Sequence, residues 1–84
     1  MSNLKEQKNH ELWLIEQLKE SAQNVIRLVA KLNQEKIGSD DALTIYSDLM
    51  AKTLQLELDA EDVLKSNREI TILELEEDFE LAQQ

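Results

Sequence analysis

His10 is the only histidine in this chain of 84 residues, and cysteine is absent. The residue types that most often carry nucleophilic, acid–base or metal chemistry are thereby reduced to one imidazole and a large supply of carboxylates. Nucleophilic catalysis needs a serine, threonine or cysteine activated by a base, and the one candidate base stands near a chain start, where helices fray. Glu6 precedes His10 by one helical turn, so the two could share a metal. Helical di-metal sites, however, take a Glu-x-x-His motif from each of two facing helices, and the sequence contains none. Only a homodimer that joined two Glu6–His10 pairs would supply enough ligands. Asp59-Ala60-Glu61-Asp62 lacks the central glycine of an EF-hand loop and reads as a solvated helix face. The expectation is a protein without catalytic residues, metal or cofactor, which is not an enzyme.

The most suggestive chemistry is near the end of the chain, where Glu74, Glu76, Glu77, Asp78 and Glu80 surround Leu73, Leu75, Phe79 and Leu81. On a helix, Ile72, Leu75, Phe79 and Ala82 form one apolar edge flanked by carboxylates. Such an edge suits a partner's groove lined by lysine and arginine. Leu75, Glu76, Glu77, Phe79 and Glu80 are therefore the expected partner-binding residues. Negative charge at a helix C-terminus is unfavourable, a cost that a basic partner would relieve. The plainer alternative is an amphipathic last helix that closes its own bundle with its acids in water.

The whole chain is acidic: 9 lysines and arginines stand against 18 aspartates and glutamates, for a net charge of −9. That field opposes a phosphate backbone, so direct nucleic-acid binding is not expected. Residues 1–42 hold 7 acids and 6 bases, whereas residues 43–84 hold 11 and 3. Disorder is the bland reading of acidic sequences, but an apolar content of 42% is enough to drive folding. The first apolar run, Leu12-Trp13-Leu14-Ile15, is too short for a secretory signal, and no stretch is long enough to span a bilayer. With no cysteine as well, the simplest expected location is the cytoplasm.

These side chains are positioned by helices. The chain has no proline and one glycine, Gly38; both residues are costly inside helices, so their scarcity marks a nearly all-helical protein with one turn. From Asn3 to about Lys36, Ile15, Leu18, Ala22, Val25, Val29 and Leu32 recur at alternating spacings of three and four, a heptad seam. Ser2 or Asn3 caps the start, and Lys31 and Lys36 suit the carbonyl end. Ile37-Gly38-Ser39-Asp40 forms the turn, with Gly38 left-handed at the C′ position and Ser39 or Asp40 capping the next helix.

Ala42, Tyr46, Leu49, Thr53, Leu56, Ala60 and Val63 then make a second seam, flanked by Leu43, Met50 and Leu64. Two such helices joined by a short loop run antiparallel. Near Lys65 the pattern slips, and Ser66-Asn67-Arg68-Glu69 has the spacing of a capping box. A kink or short third helix over about 67–82 is expected, with an uninterrupted helix from Asp40 to Ala82 as the alternative. Ile70 to Glu76 alternates like a strand, but a lone strand has nothing to pair with, and the segment is assigned to helix.

The expected architecture is all-α: a single domain with a helix over about 3–36, a turn at 37–40, a helix over about 40–65 and the kinked or separate end. Leu12, Trp13, Leu14, Ile26, Leu28 and Ala30 add more apolar surface than one facing helix covers. The hairpin is therefore expected to form a homodimer, a four-helix-type bundle, with Trp13, Ile15, Leu18, Val25 and Val29 at the dimer interface. The leading functional expectation is a small acidic regulator or adaptor that binds another protein. An acidic mimic of nucleic acid, blocking a DNA- or RNA-binding protein, is the rival reading, and a purely structural dimerisation module is the third.

Overall fold

The computed structural model describes residues 2–82 and contains two helices, α1 (Ser2–Leu32) and α2 (Asp40–Ala82). At 1.5 Å per residue they are about 46 and 64 Å long. Among the described residues there is no strand, and Ile70 to Glu76 lies inside α2. Ser21 meets Asp59 and Lys8 meets Glu74. Partners that move forward on one helix as they move back on the other define an antiparallel hairpin.

The connection starts earlier than the sequence implies. α1 ends at Leu32 rather than near Lys36, and Gln34 N–H and Glu35 N–H turn back to the carbonyls of Lys31 and Leu32 at 3.0 and 3.1 Å, a tightened last turn. Seven residues, Asn33 to Ser39, therefore join the helices in place of the short turn expected at Ile37–Asp40. Gly38 is accordingly not the C′ residue of α1. It lies at the third position of a Lys36–Ser39 turn closed by Ser39 N–H donating to the Lys36 carbonyl at 3.1 Å, with φ of 84°. No other described residue has positive φ, which makes this a type II turn, whose third position favours glycine. Ser39 Oγ accepts from Ala42 N–H at 3.1 Å and caps α2, whose first turn carries Asp40 and Asp41 at the positive end of the dipole.

α2 continues through the point where a break was expected. Its inward positions are Ala42, Ile45, Leu49, Leu56, Asp59, Val63, Ser66, Ile70, Leu73 and Glu77, all buried or half-buried. Only the exposed Lys52 interrupts their alternation of three and four. One heptad register therefore runs the length of the helix, and Ser66 is buried mid-helix instead of capping a new one. The inward row of α1 is Leu4, Gln7, Glu11, Leu14, Leu18, Ser21, Val25, Leu28 and Leu32. Tyr46, Thr53 and Ala60 of α2, with Ile15 and Val29 of α1, are exposed beside the seam. The sequence pattern had followed this flank because polar residues occupy so many of the inner places.

The resulting core is thin. Ala42 and Ile70, at 3% and 6% exposure, are the buried apolar residues among those described. The molecule measures 68 × 14 × 14 Å between Cα extremes with a radius of gyration of 19.4 Å; a compact domain of this length has about 12 Å. Its accessible surface is 6859 Å², against about 5,100 Å² for a compact chain of this mass.

Candidate functional site

Asp59 stands at the middle of the seam. Its carboxylate accepts from Ser21 Oγ across the helix pair and from Gln55 Nε2, one turn earlier on α2, at 2.9 Å. Ser21 is buried. The contact joins residues 38 apart in sequence and fixes the helix register, since sliding α2 by one heptad would leave both groups without it. Toward the open end of the hairpin, Glu11 Oε1 and Ser66 Oγ are buried without a hydrogen-bond partner. The seam is thus polar where the chain ends and more apolar toward the turn.

Heptad geometry places a row of side chains on either side of such a seam. On one flank, Ile15 shares a groove with Ala60, Leu64 and Asn67. Leu12, Ile26 and Val29 extend this flank along α1, and Leu43, Tyr46 and Met50 extend it along α2 to the turn; all six are exposed. Lys8 and Glu74, paired at 3.0 Å, close it near the open end. On the opposite flank, His10, Trp13, Asp62, Lys65 and Glu69 line a groove above Leu14 and Ser66. The rings of His10 and Trp13 stack there, 5.9 Å between centroids and 18° between planes. Asp41, Asp48, Asp62, Glu69 and Glu76 recur on that flank at multiples of seven residues, all exposed. They form an acidic row about 50 Å long with steps of about 10 Å, broken once between Asp48 and Asp62, where Gln55 takes the intervening place.

A third feature is confined to α2. Ile72, Leu75 and Phe79 point away from α1 and line an open groove rimmed by Glu76 and Glu80. Of the five residues expected to bind a partner, Leu75, Glu76, Phe79 and Glu80 meet here. Glu77 does not, because it is half-buried on the side facing α1. Ile72 completes the edge, as its helical spacing implied. The residues expected at a dimer interface are scattered: Leu18 and Val25 are half-buried in the seam, Ile15 and Val29 are on the apolar flank, and Trp13 is on the opposite one. Leu43 and Met50, which flank the second seam in the sequence pattern, belong to the turn end of the apolar flank.

Among the described residues no group of three or more histidine, cysteine, aspartate or glutamate side chains is arranged to hold a metal ion, and no helix is long and apolar enough to cross a membrane. No protein-family model, curated protein or solved structure matches the chain.

Proposed function

We propose that this is a small non-enzymatic regulator or adaptor that works as a homodimer and binds another protein through the outer edge of α2. The observation that carries the reading is the groove of Ile72, Leu75 and Phe79, which α1 leaves uncovered and which Glu76 and Glu80 border. Its shape and charge fit an amphipathic helix with a leucine-type face and lysines or arginines beside it. The apolar residues supply the anchor, and the carboxylates supply steering and orientation.

The row of acids from Asp41 to Glu76 favours a second reading, the nucleic-acid mimic, because an extended line of carboxylates is what a phosphate-binding channel would accept. The two readings separate by salt and by one side chain. Partners are captured from the native host on immobilised wild-type and Phe79→Ala protein at low and high salt. An adaptor retains its partner at both salts and loses it with Phe79→Ala. A mimic retains a DNA- or RNA-binding protein at low salt only, with either form. Capture that ignores the Phe79 substitution removes the α2 edge from the site.

A further inference from the structure

We infer that the apolar flank of the hairpin is the self-association face, and that its occupant is a second copy of this chain packed flank to flank. The inference rests on the homodimer in the proposed function and names the surface that forms it.

Four observations point to a second copy. First, the face has the required size. From Leu12 to the end of α1 at Leu32 it is about 31 Å long at 1.5 Å per residue, and two adjoining helices are about 20 Å wide. It therefore offers about 600 Å² per copy, the lower end of the range for a standard stable interface.

Second, the charge is balanced. Along this stretch the flank positions include only Lys19 and Glu57 as charged residues, so the face presents one charge of each sign while the chain carries −9. Two copies meet here without the repulsion that the acidic flank would impose, whereas a strongly basic partner finds no matching field.

Third, Ala22 and Ala60 lie near the middle of the face, with larger residues such as Ile26 and Met50 toward the turn. Small side chains at the centre let helices approach to the 8–10 Å of a packed bundle. Fourth, the single hairpin has a thin core and exposes more surface than a compact chain of its mass, and much of its exposed apolar surface lies on this flank. Pairing through this flank leaves the acidic row, Trp13 and the α2 groove facing outward, so the dimer displays two copies of the partner-binding edge.

Trp13→Cys and Met50→Cys, each in the otherwise cysteine-free full chain, place a single thiol on opposite flanks. Both native side chains are exposed in the hairpin, at 56% and 76%, so neither change opens the seam. Molar mass is measured by light scattering from 1 to 500 µM beside the rate of maleimide labelling. The expected result is a mass of twice 9.7 kDa at the upper concentrations. Labelling of Met50→Cys should slow at least about tenfold as the dimer forms, and that of Trp13→Cys should not. Met50→Asp should weaken the dimer at least about 100-fold. Wild-type protein that stays monomeric throughout overturns the second-copy occupant; it leaves the α2 groove standing, because capture on Phe79→Ala tests that independently. A dimer that protects Trp13→Cys and leaves Met50→Cys open overturns the choice of face while keeping the homodimer.

Discussion

The two flanks of the seam are built on the same backbone and border the same buried row, yet one carries Ile15, Ile26, Leu43 and Met50 while the other carries Asp48, Asp62, Glu69 and Lys65. Trp13, stacked on His10, is the one large apolar side chain exposed in the groove of that second flank. Nothing inside the hairpin requires the difference. Either flank would leave the Ser21–Asp59 contact and the Ile70 packing intact, so flank composition is a statement about what lies outside the chain. Acids on one side set the long-range field and keep that side wet. Aliphatic residues on the other make water the least favourable neighbour.

The sharpest way to break this comparison is to exchange the chemistry of the flanks. Ile26→Asp together with Met50→Asp adds two carboxylates to the apolar side and should abolish self-association at 100 µM. The melting temperature should also fall and lose its dependence on protein concentration, because a dimer's stability is coupled to concentration by mass action. Asp48→Ala with Asp62→Ala on the opposite flank should change stability by no more than about 0.5 kcal/mol, the usual scale for exposed sites. Similar melting curves for the two double variants would refute the asymmetry.

Asp59 and Asp62 give a second contrast, three residues apart on one helix. Asp59→Ala strands the buried Ser21 hydroxyl and should cost about 1–3 kcal/mol in urea unfolding; Asp62→Ala should cost almost nothing. Ser21→Leu with Asp59→Leu should then recover or exceed wild-type stability while relaxing the register, since an apolar replacement of a buried polar pair can stabilise a fold and still lose specificity. Distances between spin labels placed on α1 and α2 would reveal the relaxation as a second population.

Smaller effects belong to the turn and to Ser66. A Cβ added at Gly38 has nothing within 4 Å, so space is not the constraint there. The positive φ is, and Gly38→Ala should cost about 1–2 kcal/mol. Ser66→Ala removes a buried hydroxyl that lacks a partner and should stabilise the hairpin by up to about 1 kcal/mol. Both changes are read from urea midpoints.

Much of this architecture was legible in the sequence, and the reason it stopped where it did is physical. The scarcity of glycine and proline exposes the two helices, and Gly38 locates the turn, because backbone preferences act locally. The phase of the seam was hidden because the greasiest stripe of this chain is a flank: Ile15, Val29 and Tyr46 are more apolar than the Gln7, Ser21 and Asp59 that stand in the seam. The stripe of Ile72, Leu75 and Phe79 is out of phase with the earlier one because it is the exposed outer edge of α2, and a continuous heptad therefore looked like a slip at Lys65. The α2 groove is legible because Ile72, Leu75 and Phe79 repeat at helical spacing without interruption, whereas Glu77 falls in the seam by its distance of seven from Ile70. The early end of α1 left no mark at Asn33–Lys36, where nothing in the sequence forbids a helix.

The finest test of the separation between fold and recognition uses Phe79 and Leu73, one and a half turns apart on α2. Leu73 is half-buried against α1, and Phe79 is 64% exposed on the outer edge. Truncating Leu73 to alanine removes contacts within the hairpin and should lower stability by about 1–2 kcal/mol, at the low end for a leucine because the site is only partly enclosed. Truncating Phe79 removes little packing, since the ring is 64% exposed, and should leave the melting temperature within about 1 °C, while dissociation of the captured partner quickens. Neutralising Glu76 and Glu80 should instead slow association and flatten its salt dependence, since rim charges act mainly on the approach of the partner. If Phe79→Ala lowers the melting temperature as far as Leu73→Ala and the folded fraction still binds normally, the α2 edge is part of the fold and the binding surface lies elsewhere. Thermal melts beside surface-bound kinetics on the three proteins distinguish the two outcomes.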